Sequence, residues 1–259
     1  MPHATMSDGA QIHYRVSGRW EGPVVVLAHA LGADLRLWDR QAAALGDRFR
    51  VVSYDGRGHG QSDAPGGDYA LPRLGRDALE LLDHLDVEAA DFCGISMGGG
   101  VGQWLAANAP GRVRRLALAN TTAVFATPEV WRQRGEQVSR EGMTSVVGGT
   151  LERWFTPGFR QRDPEVVARI EAMLLSCPPQ GYAGSCAALR DADLRPDLAR
   201  IVVPTLVICG RHDEATPPKQ SEALVAAIPG ARLVVLDAAH MSCVEQPDLF
   251  NAELSRFLG

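Results

Sequence analysis

Short apolar runs recur along the chain, separated by stretches in which apolar residues return every three or four positions. The run PVVVLAH (23–29) is continuous rather than alternating, the pattern of a strand buried on both faces. RVVSYD (50–55), AADFCGI (89–95), VRRLALAN (113–120), PTLVICG (204–210) and ARLVVLD (231–237) read as further strands. Between them, RLWDRQAAAL (36–45) has helical spacing. LGRDALELLDHL (74–85) sets Leu74, Ala78, Leu81, Leu82 and Leu85 on one helical stripe. A helix is predicted from Met97 to about Ala109, stopped by Pro110-Gly111, and 221–228 and 247–258 read as helices too. Asp8-Gly9, between short mixed runs, predicts an opening hairpin.

Strands that alternate with helices predict an α/β fold with a mostly parallel sheet covered on both faces. The rhythm breaks near residue 122. From there to 188 the chain looks helical, with breaks at Gly148-Gly149, Pro157-Gly158 and Pro178-Pro179, and then the rhythm resumes. The expected organisation is a core in two parts, 1–121 and 189–259, with a helical lid at 122–188 inserted after the sixth strand. Such an insertion would overhang the carboxyl ends of the strands, where open α/β sheets bind ligands.

Composition narrows the function classes. A net charge of -5 and dispersed arginines argue against a nucleic-acid surface; Lys219 is the only lysine. No apolar run reaches the roughly 18 residues of a membrane span, and the N-terminus has no secretory pattern. The five cysteines form no CxxC pair and are odd in number, which favours a reducing compartment over a disulfide framework or a zinc site. Cys93 and Cys209, in apolar runs, read as core residues. A cytoplasmic protein without metal follows. GRGHG (56–60) lacks the lysine of a phosphate-binding loop and the full glycine set of a dinucleotide site.

The chemistry gathers at GISMG (94–98), a G-x-S-x-G pattern between a predicted strand and a predicted helix. A serine hydroxyl is a poor nucleophile and must project from a tight turn toward a base; small residues two before and two after it let the turn close. Gly99, Gly100 and Gly102 would let the helix approach the sheet. The motif requires an acid and then a histidine later in the chain. Asp213 follows the strand PTLVICG, and His240 follows the strand ARLVVLD. Asp213 would orient the imidazole of His240, which would accept the proton of Ser96. Asp237 is the weaker alternative acid. The other position such enzymes use, after the strand that follows the nucleophile, holds uncharged Asn120. His212 precedes the acid and reads as a loop neighbour; His59 reads as a structural hydrogen-bonding residue. An oxyanion hole needs two backbone N–H groups, placed here at Met97 and, in the loop HALG (29–32), at Leu31.

With H-x-x-G, D-G-R-G-x-G-x-S, G-x-S-x-G, the acid and the terminal histidine in order, the chain resembles the α/β-hydrolases. The segments GQWLA (102–106), RVRRLALANT (112–121), LERWFTPGF (151–159), GYAGSCAALRDADLR (181–195) and IPGARLVVLDAAHMSCVEQP (228–247) are similar to those of the 3-oxoadipate enol-lactonases. The loop HALGA departs from the Asn-Ser-Leu-Gly form associated with that group. The resemblance implies hydrolysis of a small enol-lactone in aromatic catabolism, with no cofactor. It also implies a cation for the substrate's free carboxylate. Trp131 and Arg134, three apart, could share a helical face, Trp131 packing on the lactone ring and Arg134 holding the carboxylate. Arg132 and Arg153 are the alternatives. The same core motifs would serve a lidded carboxylesterase or carbon–carbon bond hydrolase. A non-catalytic binding protein of this fold would be expected to have lost part of the triad.

Overall fold

The computed structural model describes residues 2–259. Its eight strands are β1 (His3–Thr5), β2 (Gln11–Gly18), β3 (Val24–Ala28), β4 (Arg50–Tyr54), β5 (Ala90–Ile95), β6 (Val113–Ala119), β7 (Thr205–Gly210) and β8 (Arg232–Leu236). They form one sheet in the order β1-β2-β4-β3-β5-β6-β7-β8. The opening hairpin pairs β1 with β2, and β2 joins β4 antiparallel; every later pair is parallel. β3, β5 and β7 are buried at every position, as continuous apolar runs require of central parallel strands. β8 closes the sheet as a half-exposed edge.

Helices cover both faces. A 3₁₀ turn (Leu35–Trp38) leads into α1 (Asp39–Leu45), so only the second half of 36–45 is α-helical. α2 (Leu71–His84) starts a turn earlier than the apolar stripe indicates, because Pro72 sits in its first turn, where a missing N–H costs nothing. α3 (Met97–Asn108) follows β5 directly, and Gly102 lets it lie against Phe92 and Leu116 of the sheet. Gly99 and Gly100 do not face the sheet as expected. They meet Thr121 and Phe125 of the segment leaving β6.

Five helices lie between β6 and β7: α4 (Pro128–Glu141), α5 (Thr144–Trp154), α6 (Pro157–Arg162), α7 (Pro164–Ser176) and α8 (Pro179–Arg190). Four of them carry proline in the first turn, so the expected breaks at Pro157-Gly158 and Pro178-Pro179 mark helix starts, whereas Gly148-Gly149 lies inside α5 and breaks nothing. After β7 come α9 (Pro218–Ala227), then β8, a one-turn α10 (Ser242–Glu245) and α11 (Pro247–Leu258). No helix among the described residues is long and apolar enough to cross a membrane.

The register decides where chemistry can gather. Ala28 pairs with Gly94, Ile95 with Ala119, Ala119 with Ile208 and Gly210 with Leu236. The carboxyl ends of β3, β5, β6, β7 and β8 therefore line up on one rim, and five loops converge there.

Candidate active site

Ser96 caps β5 and begins α3. Its backbone has φ 55° and ψ -118°, a left-handed conformation that costs a non-glycine residue about 1–3 kcal/mol and persists only when its surroundings enforce it. They do. A Cβ on Gly94 would sit 2.1 Å from the carbonyl oxygen of Gly98, and one on Gly98 would sit 2.3 Å from that of Ala28. Ser96 N–H donates to the Ala119 carbonyl, and the Ser96 carbonyl accepts from the Thr121 hydroxyl at 2.7 Å. The hydroxyl is thereby presented at the rim, and Ser96 keeps partial exposure in a buried neighbourhood.

His240 Nδ1 lies 2.9 Å from Asp213 Oδ2, and both side chains are buried. Asp213 Oδ2 also accepts from the Asn120 amide at 2.9 Å and the Thr216 hydroxyl at 2.7 Å. Its Oδ1 accepts from the N–H groups of Ala215 and Thr216. Burial would raise the carboxyl's pKa, but the charge of His240 and these donors outweigh it and hold it below the ordinary value. An ionised carboxylate only accepts, so Nδ1 is the ring nitrogen that donates to it, and in the neutral imidazole Nε2 then holds the lone pair. The alternative acid is elsewhere: Asp237 is exposed and pairs with His212 at 2.8 Å.

The loop after β3 is held by two histidines. His29 Nε2 accepts from the Gly56 N–H at 2.8 Å, while His59 Nε2 accepts from the Gly32 N–H at 2.9 Å. Burial, reinforced by the neighbouring His29, pushes the His59 imidazole down to about 3, so it stays neutral and keeps its acceptor. Among the described residues nothing accepts from the Leu31 N–H. Met97 is the first residue of α3, where N–H groups lack helical acceptors and the helix dipole favours negative charge.

Ser96, His240 and Leu31 line one cavity of 340 Å³, whose far wall includes Trp131, Arg134, Thr150, Arg153 and Tyr182. The structure thus brings Trp131 and Arg134 together with the nucleophile and the histidine. It turns Arg132 away, onto the solvent side of α4 between Glu129 and Glu136. Trp131 donates its indole N–H to the Phe125 carbonyl. Arg134 donates from Nε to the Tyr182 hydroxyl at 2.6 Å and from Nη2 to Thr150 Oγ1 at 2.5 Å. Neither partner is charged. Among the described residues no three or more His, Cys, Asp or Glu side chains cluster as a metal site.

The family model for the alpha/beta hydrolase fold matches residues 23–159 and 168–247. The chain belongs to that family. Among alpha/beta hydrolases it is similar to 3-oxoadipate enol-lactonase 2 of Acinetobacter baylyi, with 41% identity over 93% of this chain and 90% of that one. It is also similar to 3-oxoadipate enol-lactonase 1 of the same organism, with 38% identity over 98% and 95% of the two chains. The crystal structure of the enol-lactonase from Burkholderia xenovorans LB400 superposes with a TM-score of 0.97 at 44% identity, covering 99% of each chain.

Several residues that shape this alpha/beta hydrolase site carry no sequence motif. Asn120, at φ 42°, stands where an alternative acid would be. It braces Asp213 and the Ala239 carbonyl while accepting from Ser242 Oγ at 2.5 Å. Glu245 is 5% exposed and, among the described residues, pairs with no cation. It accepts from the Ala239 N–H at 3.0 Å and from the hydroxyl and N–H of Thr156, tying the residue before His240 to the cap of α6. Met241 N–H donates to the Trp154 carbonyl in the same seam. Glu245→Ala would strand these donors in a dry interior and is expected to cost about 2–4 kcal/mol in urea unfolding, with Glu245→Gln costing less.

Proposed function

We propose that this hydrolase opens the ring of 3-oxoadipate enol-lactone and releases 3-oxoadipate, using Ser96, His240 and Asp213. The observation that carries the reading is the shared cavity. It joins a serine presented on a strained turn and a carboxylate-oriented imidazole to guanidinium groups that have no carboxylate partner among the described residues. That is the complement of a small ester with an anionic tail. The names of the relatives supply the substrate, and the helices α4–α8 act as its lid.

Ser96 Oγ attacks the lactone carbonyl as His240 Nε2 takes its proton, and Asp213 stabilises the resulting imidazolium. The Leu31 and Met97 N–H groups hold the oxyanion. Collapse of this intermediate breaks the ring ester bond. The leaving oxygen departs as an enolate, which takes the proton held on His240, returning the imidazole to its neutral form, and tautomerises to the ketone; both halves of the substrate stay attached through the acyl-enzyme. An enolate is a better leaving group than an alkoxide and leans less on acid help from His240. Water then attacks the acyl carbon, gives its proton to His240, and Ser96 leaves with that proton. The balance closes with water alone. Five buried thiols, none paired, support a reducing cytoplasmic setting.

Trp131 would pack on the ring and Arg134 would hold the carboxylate through Nη1, which makes no hydrogen bond with any described residue. Arg134→Ala is expected to raise KM for the lactone about 10–100-fold, far more than for an uncharged ester. Equal effects on the two would remove Arg134 from the role. The substrate assignment itself is tested by comparing kcat/KM for the enol-lactone with that for uncharged aryl esters and for carbon–carbon bond substrates. The lactone is expected to lead; an ester that outranks it would make the chain a carboxylesterase instead.

A further inference from the structure

α5 presents three side chains to the cavity within about one turn: Thr150, Arg153 and Trp154. Trp154 stacks obliquely toward His240, with ring centroids 6.2 Å apart, and Thr150 holds Arg134. Arg153 is different. It is half-buried, yet among the described residues it has neither an ion pair nor a hydrogen bond. In three places an arginine takes the acid that follows it as a partner: Arg140 with Glu141, Arg162 with Asp163, Arg190 with Asp191. Arg153 follows Glu152 and leaves it alone. Glu214 lines the same cavity, but it and Glu152 act on Arg153 only from beyond ion-pair distance.

We infer that Arg153 is a second, specificity-determining cation of the cavity, which takes the distal carboxylate of the substrate together with Arg134. This rests on the cavity being the substrate site, as proposed above. Two guanidinium groups facing one desolvated space repel each other until an anion joins them, and an acyl group ending in a carboxylate supplies that anion. Burial and the charge of Arg134 lower the pKa of Arg153 from the ordinary guanidinium value. An anion would relieve both effects. The division of labour follows from the contacts. Arg134 is fixed by Tyr182 and Thr150 and supplies a set positive position. Arg153 has no such tether and can swing to close on the carboxylate from the other side.

The test uses a matched pair of aryl esters, the mono-p-nitrophenyl ester of adipic acid and p-nitrophenyl hexanoate, which differ in the terminal carboxylate. The wild type should prefer the anionic ester. Arg153→Met should lower the ratio of kcat/KM, anionic over neutral, about 10–100-fold. Arg153→Lys should keep part of the preference, because it retains the charge and loses the planar fork. An unchanged ratio in Arg153→Met, or equal losses on both esters in Met and Lys variants, would overturn the inference. Neither ester presupposes the lactone. An enzyme that ignores the enol-lactone but loses its anionic preference in Arg153→Met would refute the substrate and keep the role of Arg153. Lactone turnover with an unaltered ratio would do the reverse.

Discussion

Ser96→Ala is expected to lower kcat for the enol-lactone by about 10⁴-fold or more while leaving KM nearly unchanged. The hydroxyl is the only atom lost. Alanine keeps the Cβ that already stands at φ 55°, and the backbone bonds to Ala119 and Gly100 do not depend on the side chain, so the turn should survive. What disappears is the nucleophile. The Leu31 and Met97 N–H groups and the cavity cations remain, so the substrate should still bind and a small residual rate should persist. A fluorophosphonate probe should label the wild type at Ser96 and leave the folded variant unlabelled. A variant that keeps more than about a tenth of the wild-type rate would contradict covalent catalysis at this position.

Asp213→Asn should come next, with a loss of about 10³–10⁴-fold in kcat. The substitution keeps the shape and reverses the hydrogen bond. Asp213 Oδ2 accepts from His240 Nδ1, from the Asn120 amide and from the Thr216 hydroxyl. An amide nitrogen in that place would itself donate to Nδ1. The proton would then sit on Nε2, where the imidazole can no longer accept from Ser96. The alternative orientation would set the new amide against the backbone N–H groups of Ala215 and Thr216. The same residue links stability to pH. Its folded pKa is lower than the ordinary 3.8. Its contribution is therefore complete above that value and fades as the pH falls through the lower folded one. Acid unfolding of Asp213→Asn should be flatter than that of the wild type in this acidic range, as circular dichroism would record.

The parts of this molecule legible in its sequence are those that a local pattern encodes. Buried parallel strands must be continuously apolar, and PVVVLAH, AADFCGI and PTLVICG could hardly be anything else. The nucleophile, acid and histidine stand at strand ends because the parallel register collects those ends on one rim. Both Asp213 and Asp237 satisfy the chain order, which leaves Asp237 as the weaker alternative acid; the geometry puts Asp237 on the surface with His212. The hidden parts are contacts between distant neutral or unpatterned residues. Asn120 reaches Asp213 across 93 positions and Ser242 across 122; no spacing rule joins them. Glu245 looks like any glutamate in a terminal helix until the fold buries it under Ala239 and Thr156. The arginines illustrate the same limit. Sequence alone favours Arg134 by its spacing from Trp131 and leaves Arg132 and Arg153 as alternatives, whereas helix phase sends Arg132 to Glu129 and Glu136 and turns the other two inward.

The central claim, enol-lactone hydrolysis at Ser96, is tested most directly by following the loss of the lactone's ultraviolet absorbance with wild type and Ser96→Ala side by side. The account predicts turnover by the wild type at a kcat/KM of about 10⁴ M⁻¹s⁻¹ or higher, with 3-oxoadipate as the product, and background decay with the variant. A wild type that leaves the lactone untouched, or a variant that consumes it equally fast, would contradict the account.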